Sequence, residues 1–322
     1  MAGSDSRERT ALIVTVLNEA GTLDALFDSI AAQTRQPDEI VVADGGSKDG
    51  TLAVLERWSA RLPLRVIESD DANISLGRNL AIRATETEYI AVTDAGVRLE
   101  PDWLERLQGE MTTEVDVVSG FFRADPGSTF ERALGATTLP DLHDVKPRDF
   151  LPSSRSVLFR RTAWQRVGGY PEWLDYCEDL VFDLALRRSG CRFAFAPRAV
   201  AWFRPRPSLA AFVRQYYLYA RGDAKAGLWT RRHAIRYATY GFAAFVLARR
   251  PRWAWLLALA GLGYVRRPYL RLDVKELAWT DRALAVGLIP LIRLTGDVAK
   301  MLGYPVGIGW RVRRAWTSRS SS

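Results

Sequence analysis

Short apolar blocks alternate with helical spacings along the first two thirds of the chain. Thr10 to Leu17 is one such block and predicts a buried first strand. Asn18-Glu19-Ala20-Gly21 makes the turn. Leu23, Leu26, Phe27 and Ile30 then fall at helical spacing, so Thr22 to Ala32 is expected to be a helix laid on a sheet. Pro37-Asp38 precedes a second block that stops on Asp44. Leu64 to Ile67 predicts a third strand, Ile74 to Ala84 a helix, and Tyr89 to Thr93 a fourth strand that ends on Asp94. Val115 to Phe122 reads as another strand. Arg123 to Pro152, with Pro, Gly and Asp throughout, reads as a long functional loop. Glu178-Asp179 opens a helix carrying Leu180, Val181, Leu184 and Ala185 and stopped near Gly190, and Arg192 to Ala196 is a final short strand. Strands alternating with helices predict an α/β fold, a mostly parallel Rossmann-like sheet flanked by helices.

The pattern changes at Thr230. Three apolar runs follow, Ala234 to Ala248, Trp253 to Val265 and Ala283 to Ile292, the first two broken off by Arg249-Arg250-Pro251-Arg252 and Arg266-Arg267-Pro268. Each is shorter than the ~20 residues of a spanning helix. Core helices, interfacial helices and a shallow hairpin all fit, and Arg clustered beside Trp and Tyr is the pattern of interfacial anchoring.

Charge sharpens this division. The 322 residues carry a net +8, but residues 1–229 hold 28 Lys and Arg against 33 Asp and Glu, and residues 230–322 hold 17 against 4. An acidic front is joined to a basic, apolar tail. A basic tail calls for an anionic partner, nucleic acid or a membrane face. Its aromatics sit inside apolar runs such as Trp253-Ala254-Trp255-Leu256, where bases would not reach them, which favours lipid and argues against nucleic acid. The polar start of the chain has no signal-peptide core, so the front is expected in the cytoplasm, on the inner face of the membrane.

With His143 and His233 the only histidines and Cys177 and Cys191 the only cysteines, Ser-His-Asp catalysis, His-rich metal sites and a disulfide framework are not expected. The chemistry rests on carboxylates at the ends of strands and helices: Glu19, Asp44, Asp94, Glu178 and Asp179. Carboxyl ends of strands in open α/β sheets are where ligands bind. Asp44 opens the turn Asp44-Gly45-Gly46-Ser47-Lys48-Asp49-Gly50, which is also ordinary turn chemistry. Two adjacent carboxylates at a helix start are, by themselves, dipole-stabilised caps.

Taken together, these residues resemble the family 2 glycosyltransferases, inverting enzymes with a GT-A fold. Thr15-Val16-Leu17-Asn18-Glu19 is similar to the family's first-strand motif, the Asp44 to Thr51 turn to its base-binding turn, and Gly77-Arg78-Asn79 to its donor-binding helix start. Thr93-Asp94-Ala95-Gly96 sits where the family has Asp-x-Asp. Gly168-Gly169-Tyr170-Pro171 followed by Glu178-Asp179 resembles its acceptor-side motif, and Arg214-Gln215 to Arg221 a later Gln/Arg segment. The likeness spans about Thr10 to Gly227.

It implies a catalytic domain over residues 1–229, with a nucleotide-binding half at about 10–122 and an acceptor half at about 123–229, followed by a helical, membrane-associated region at 230–322. By resemblance, Thr15, Asn18, Glu19, Asp44, Gly46, Ser47, Arg78, Asp94 and Ala95 hold a UDP-, GDP- or dTDP-linked sugar. Ser154, Arg155, Trp202, Gln215 and Arg221 face the sugar or acceptor. Asp179 is the general base with Glu178 beside it, and Asp94 contacts a divalent Mg or Mn ion. Gly96 replaces the family's second Asp. The metal is then held by Asp94 alone, mainly by phosphates and water, or with another group. The expected activity is sugar transfer to a lipid-linked or membrane-proximal acceptor. A polyprenyl-phosphate acceptor is the neighbouring reading, and a non-catalytic nucleotide-sugar-binding membrane scaffold is the alternative that Gly96 motivates.

Overall fold

The computed structural model describes residues 9–275 and 277–319. In chain order its strands are β1 (Thr10–Val16), β2 (Glu39–Asp44), β3 (Leu64–Glu68), β4 (Tyr89–Asp94), β5 (Val97–Leu99), β6 (Val117–Ala124), β7 (Val157–Arg160) and β8 (Phe193–Phe203). Its helices are α1 (Leu23–Ala31), α2 (Thr51–Ser59), α3 (Ile74–Arg83), α4 (Trp103–Gly109), α5 (Thr129–Thr138), α6 (Arg161–Arg166), α7 (Glu178–Arg188), α8 (Leu209–Lys225), α9 (Thr230–Arg249), α10 (Ala254–Arg271) and α11 (Trp279–Arg319). Packing divides them into two compact units. The first takes the chain up to Arg123 together with Leu142–Phe203, and the second takes Ala124–Asp141 with the chain from Arg204 onward.

The first unit is built on one sheet with strand order β3-β2-β1-β4-β7-β6-β8-β5. β1 pairs in parallel with β2 and β4, and β2 with β3; the pairings of β4 with β7, β7 with β6 and β8 with β5 are antiparallel. The apolar blocks are continuous because both faces of the parallel strands are covered. Along β1, Leu12, Val14 and Val16 face one core with α1, α2 and α4, while Ala11 and Ile13 face a second core with α3, α6 and α7. The chain crosses over between β1's two neighbours, which makes the carboxyl end of β1 the switch point of the sheet. There Val16 lies opposite Asp44 and Thr15 opposite Asp94. The alternation of strands and helices thus positions both acidic strand ends around one residue pair.

Residues 123–152 depart from the expected loop. They hold α5, started by Ser128, whose Oγ accepts the Glu131 N–H at 3.2 Å, while Glu131 Oε2 accepts the Gly127 N–H at 2.6 Å. A hydroxyl followed three residues later by Glu is a capping box, a start signal masked here by the surrounding Pro, Gly and Asp.

The second unit is helical. Among the described residues no helix is long and apolar enough to cross a membrane. α11 runs through Pro290 and Pro305, which in the sequence pattern act as breakers. Two of its glycines let it approach α8 closely: a Cβ on Gly303 would stand 2.1 Å from the Tyr217 carbonyl oxygen, and one on Gly307 2.2 Å from that of Arg221. This packing places α8 with the tail helices, although the sequence pattern changes only after it, at Thr230. His233 is buried, with Nε2 3.2 Å from Asp223 Oδ2 and its ring stacked on Tyr304.

Gly303→Ala is expected to destabilise this unit by about 1–3 kcal/mol through overpacking. Gly309→Ala, whose Cβ would meet nothing within 4 Å, should instead stabilise it by up to about 1 kcal/mol through helix propensity. Denaturant unfolding of the two variants reads the sign of each change.

Candidate active site

The site of the first unit begins with a buried guanidinium. Arg78, on α3, is 2% exposed. Its Nη1 donates to Glu178 Oε1 at 2.8 Å and its Nη2 to Asp94 Oδ1 at 2.9 Å, and it lies over the Tyr170 ring at 5.2 Å. A charge this deep needs carboxylate partners. Burial alone would push the Arg78 pKa down, but Glu178 and Asp94 reverse this and raise it. The guanidinium therefore joins the end of β4 to the start of α7. Asp94 also faces Arg155, whose Nε stands 3.6 Å from Oδ2.

The neighbouring Asn79 is equally buried. Its Nδ2 donates to the Tyr170 carbonyl and to Glu172 Oε1, and its Oδ1 accepts from the Tyr170 N–H and from Trp164 Nε1. It latches the Gly168 to Pro171 segment onto α3, and so fixes the chain leading to α7.

Glu178 and Asp179 differ in environment. Glu178 is 7% exposed, and burial together with the adjacent Asp179 pushes its pKa up to about 7 against the pull of Arg78. Asp179 is half-buried, and its Oδ1 accepts the Leu180 N–H at 2.8 Å at the helix start. The buried side of α7 is Glu178, Phe182, Asp183 and Leu186, rotated from the expected face of Leu180, Val181, Leu184 and Ala185. Asp183 is the carboxylate that the apolar pattern hid. Its Oδ2 is buried with no hydrogen-bond partner, and burial and Asp179 hold its pKa well above the usual carboxylate range. The signal available was its spacing, four residues after Asp179 on one helix face.

The donor-side turn is self-contained. Asp44, 1% exposed, accepts the N–H groups of Gly46 and Ser47 at 3.0 and 2.9 Å through Oδ2 and the Ser47 hydroxyl through Oδ1. Its oxygens organise the turn, which is the ordinary Asx chemistry of such sequences. Ser47 Oγ accepts the Asn18 N–H at 2.8 Å, and Asn18 Oδ1 accepts the Lys48 N–H at 2.8 Å, so the two loops after β1 and β2 hold each other. Glu19 donates its N–H to Thr51 Oγ1 and accepts from the Thr22 hydroxyl, at the approach to α1. Thr15 packs against Gly77. Ala95 sends its methyl into the core, which leaves only its backbone for a ligand.

On the opposite side, Thr93 Oγ1 donates to the Arg155 carbonyl at 2.9 Å and so brings residues 153–156 beside β4. Ser154 is buried, its hydroxyl 3.4 Å from that of Tyr170. Trp202 donates Nε1 to Glu100 and lies against Arg98 and Arg123. Gln215 and Arg221 belong to α8 in the second unit, where Gln215 Nε2 donates to the Tyr219 hydroxyl at 2.8 Å.

Asp94 is the one acidic residue of Thr93 to Gly96, and among the described residues no group of three or more His, Cys, Asp or Glu could enclose a metal ion. The donor set fits a hard divalent cation only where phosphate and water oxygens complete its shell, the arrangement natural to Mg²⁺. A deeply paired guanidinium, a carboxylate at a strand end and a half-buried carboxylate at a helix start thus stand together at the ends of β4 and α7.

Residues 11–168 match the family model of Glycosyl transferase family 2. The chain is 27% identical over 227 residues to the succinoglycan biosynthesis protein ExoA of Rhizobium meliloti (strain 1021), covering 66% of this chain and 68% of that one. It is 23% identical over 280 residues to glycosyltransferase AglE of Haloferax volcanii, covering 84% and 86%. Its fold is similar to that of the mannosyltransferase PcManGT from Pyrobaculum calidifontis, solved with GDP-Man and Mn²⁺, with a TM-score of 0.63 at 20% identity over 91% of this chain and 87% of that one. The chain carries a family 2 glycosyltransferase domain on a GT-A fold, and the protein is a glycosyltransferase.

The raised pKa of Glu178 carries a sign. A carboxyl whose folded pKa lies above its ordinary 4.5 stabilises the fold below that value, and the contribution is lost as pH rises through about 7. Thermal unfolding between pH 4.5 and about 7 should show stability falling with pH, and Glu178→Gln should flatten that slope.

Proposed function

We propose that this glycosyltransferase moves a sugar with inversion from a nucleoside-diphosphate donor to a lipid-linked or membrane-proximal acceptor, on the cytoplasmic face of a membrane. The observation that carries the chemistry is the division between the adjacent carboxylates: Glu178 is buried and paired to Arg78, while Asp179 remains half-buried at the helix start. Asp179 takes the acceptor's proton as its oxygen attacks the anomeric carbon, and the diphosphate leaves with the bonding electrons. Arg78 holds Asp94 in place at the donor side. A divalent cation, bound through Asp94, would neutralise the diphosphate. PcManGT, similar in fold, holds GDP-Man and Mn²⁺, which supports a nucleotide-sugar donor and a metal.

The acceptor side of the reading rests on the second unit. Phe242, Phe245, Trp255, Leu259 and Leu262 of α9 and α10 are each more than half exposed, next to the arginines at 249, 250, 252, 266 and 267. Apolar side chains exposed in such number beside cations suit an interfacial helix. Holding the enzyme on the surface would concentrate and orient it towards a lipid-borne acceptor.

Turnover of nucleotide sugars by Asp179→Asn should fall by about 10²–10⁴-fold with nucleotide binding retained; unchanged turnover would remove Asp179 from the mechanism. Co-flotation of the full chain with anionic vesicles should be weakened by Phe245→Glu and Leu259→Glu together. Flotation equal to that of the wild type would refute the docking face.

A further inference from the structure

The second unit holds a cavity of about 140 Å³ whose walls include Arg232, Arg293, Lys300, Asp297 and Tyr216. α11 supplies Arg293, Asp297 and Lys300 from one face, four and three residues apart. The single carboxylate is already satisfied: Asp297 accepts from Arg236 Nε at 2.8 Å, from the Tyr240 hydroxyl at 3.0 Å and from the Tyr264 hydroxyl at 2.5 Å. Among the described residues, none of the three cations lining the cavity lies within ion-pairing distance of a carboxylate. Lys300 has its Nζ 4.5 Å from the Tyr216 ring, Arg293 lies 4.7 Å over the Tyr264 ring, and Arg293 Nε is buried without a hydrogen-bond partner. Burial and the nearby Arg236 lower the Lys300 pKa to about 8 against the pull of Asp297. Arg293 and Lys300 are partly buried and Arg232 is exposed, and partly buried cations outside ion-pairing distance of a carboxylate are costly unless an anion completes them. The cavity has the volume of several waters, room for a tetrahedral oxyanion. On the two helices that carry Tyr264 and Arg293 of the cavity wall, Leu259 and Leu262 of α10 and Leu294 and Val298 of α11 are exposed, an apolar surface for the chain of an esterified anion.

We propose that this cavity binds the phosphate headgroup of a membrane lipid, with Arg232, Arg293 and Lys300 on the phosphate oxygens and the acyl or isoprenoid chain along α10 and α11. The lipid source rests on the membrane-docking reading above; the anion site does not.

The test uses the full chain and vesicles of phosphatidylcholine doped either with phosphatidic acid, which presents a phosphate monoester, or with the same mole fraction of phosphatidylserine. Arg293→Gln with Lys300→Gln should weaken binding to phosphatidic acid by about tenfold or more while sparing binding to phosphatidylserine, and inorganic diphosphate should compete in the wild type. Arg250→Gln with Arg252→Gln, outside the cavity, should weaken both vesicles alike. Lys300→Gln alone should show a smaller loss of the same selectivity, should the double variant not fold. Equal losses on both lipids from the cavity variants, or none, would overturn the site. Calorimetric binding of inorganic diphosphate that the cavity variants abolish, with no vesicle binding by the wild type, would overturn the lipid source and the docking reading but leave the anion site.

Discussion

A guanidinium removed from water must be met by carboxylates, and the way Arg78 is met sets the geometry where the end of β4 meets the start of α7. The desolvation of such a charge costs several kcal/mol and is recovered only by well-placed partners. Here the partners come from opposite ends of the first unit's chain: Asp94 closes β4, and Glu178 opens α7, a hundred residues after Arg78. The ion pairs tie the sheet to the helix. Asn79 adds a second tie one residue later, to the backbone of Tyr170. The segment from Gly77 to Asn79 is therefore a fastening more than a ligand surface.

This fastening distributes the carboxylates among tasks. Glu178 pairs with Arg78 through Oε1, and Asp44 accepts three donors from its own turn. Asp94 is shared between Arg78 and Arg155, and Asp179 stays at the mouth of the helix. Where the family places a second carboxylate, Gly96 leaves the strand end with one, and cations stand on both sides of it.

The parallel strands were legible because both their faces are buried, which writes them as uninterrupted apolar blocks, and their acidic ends followed directly. α5 was not, because Pro, Gly and Asp on both sides of its capping box suggested a loop. β8 continues to Phe203 past Pro197, where the pattern stopped at Ala196. α11 passes two prolines that would end a helix read from sequence. The roles of Asp44 and Arg78 were placed by likeness to a family; the partners of Asp44 are local to its own turn, whereas those of Arg78, Asp94 and Glu178, are distant in sequence and no local pattern reveals them. Asp183 was missed for a related reason: a buried acid inside an apolar helix face breaks the pattern used to find that face.

The coupling by Arg78 of Asp94 at the end of β4 to Glu178 at the start of α7 is tested most directly by a double-mutant cycle of Asp94→Asn and Glu178→Gln on unfolding free energy, repeated in an Arg78→Met background. With Arg78 present the two substitutions should be non-additive by about 0.5–3 kcal/mol, and in the Arg78→Met background they should add. Additivity in both backgrounds would contradict the account.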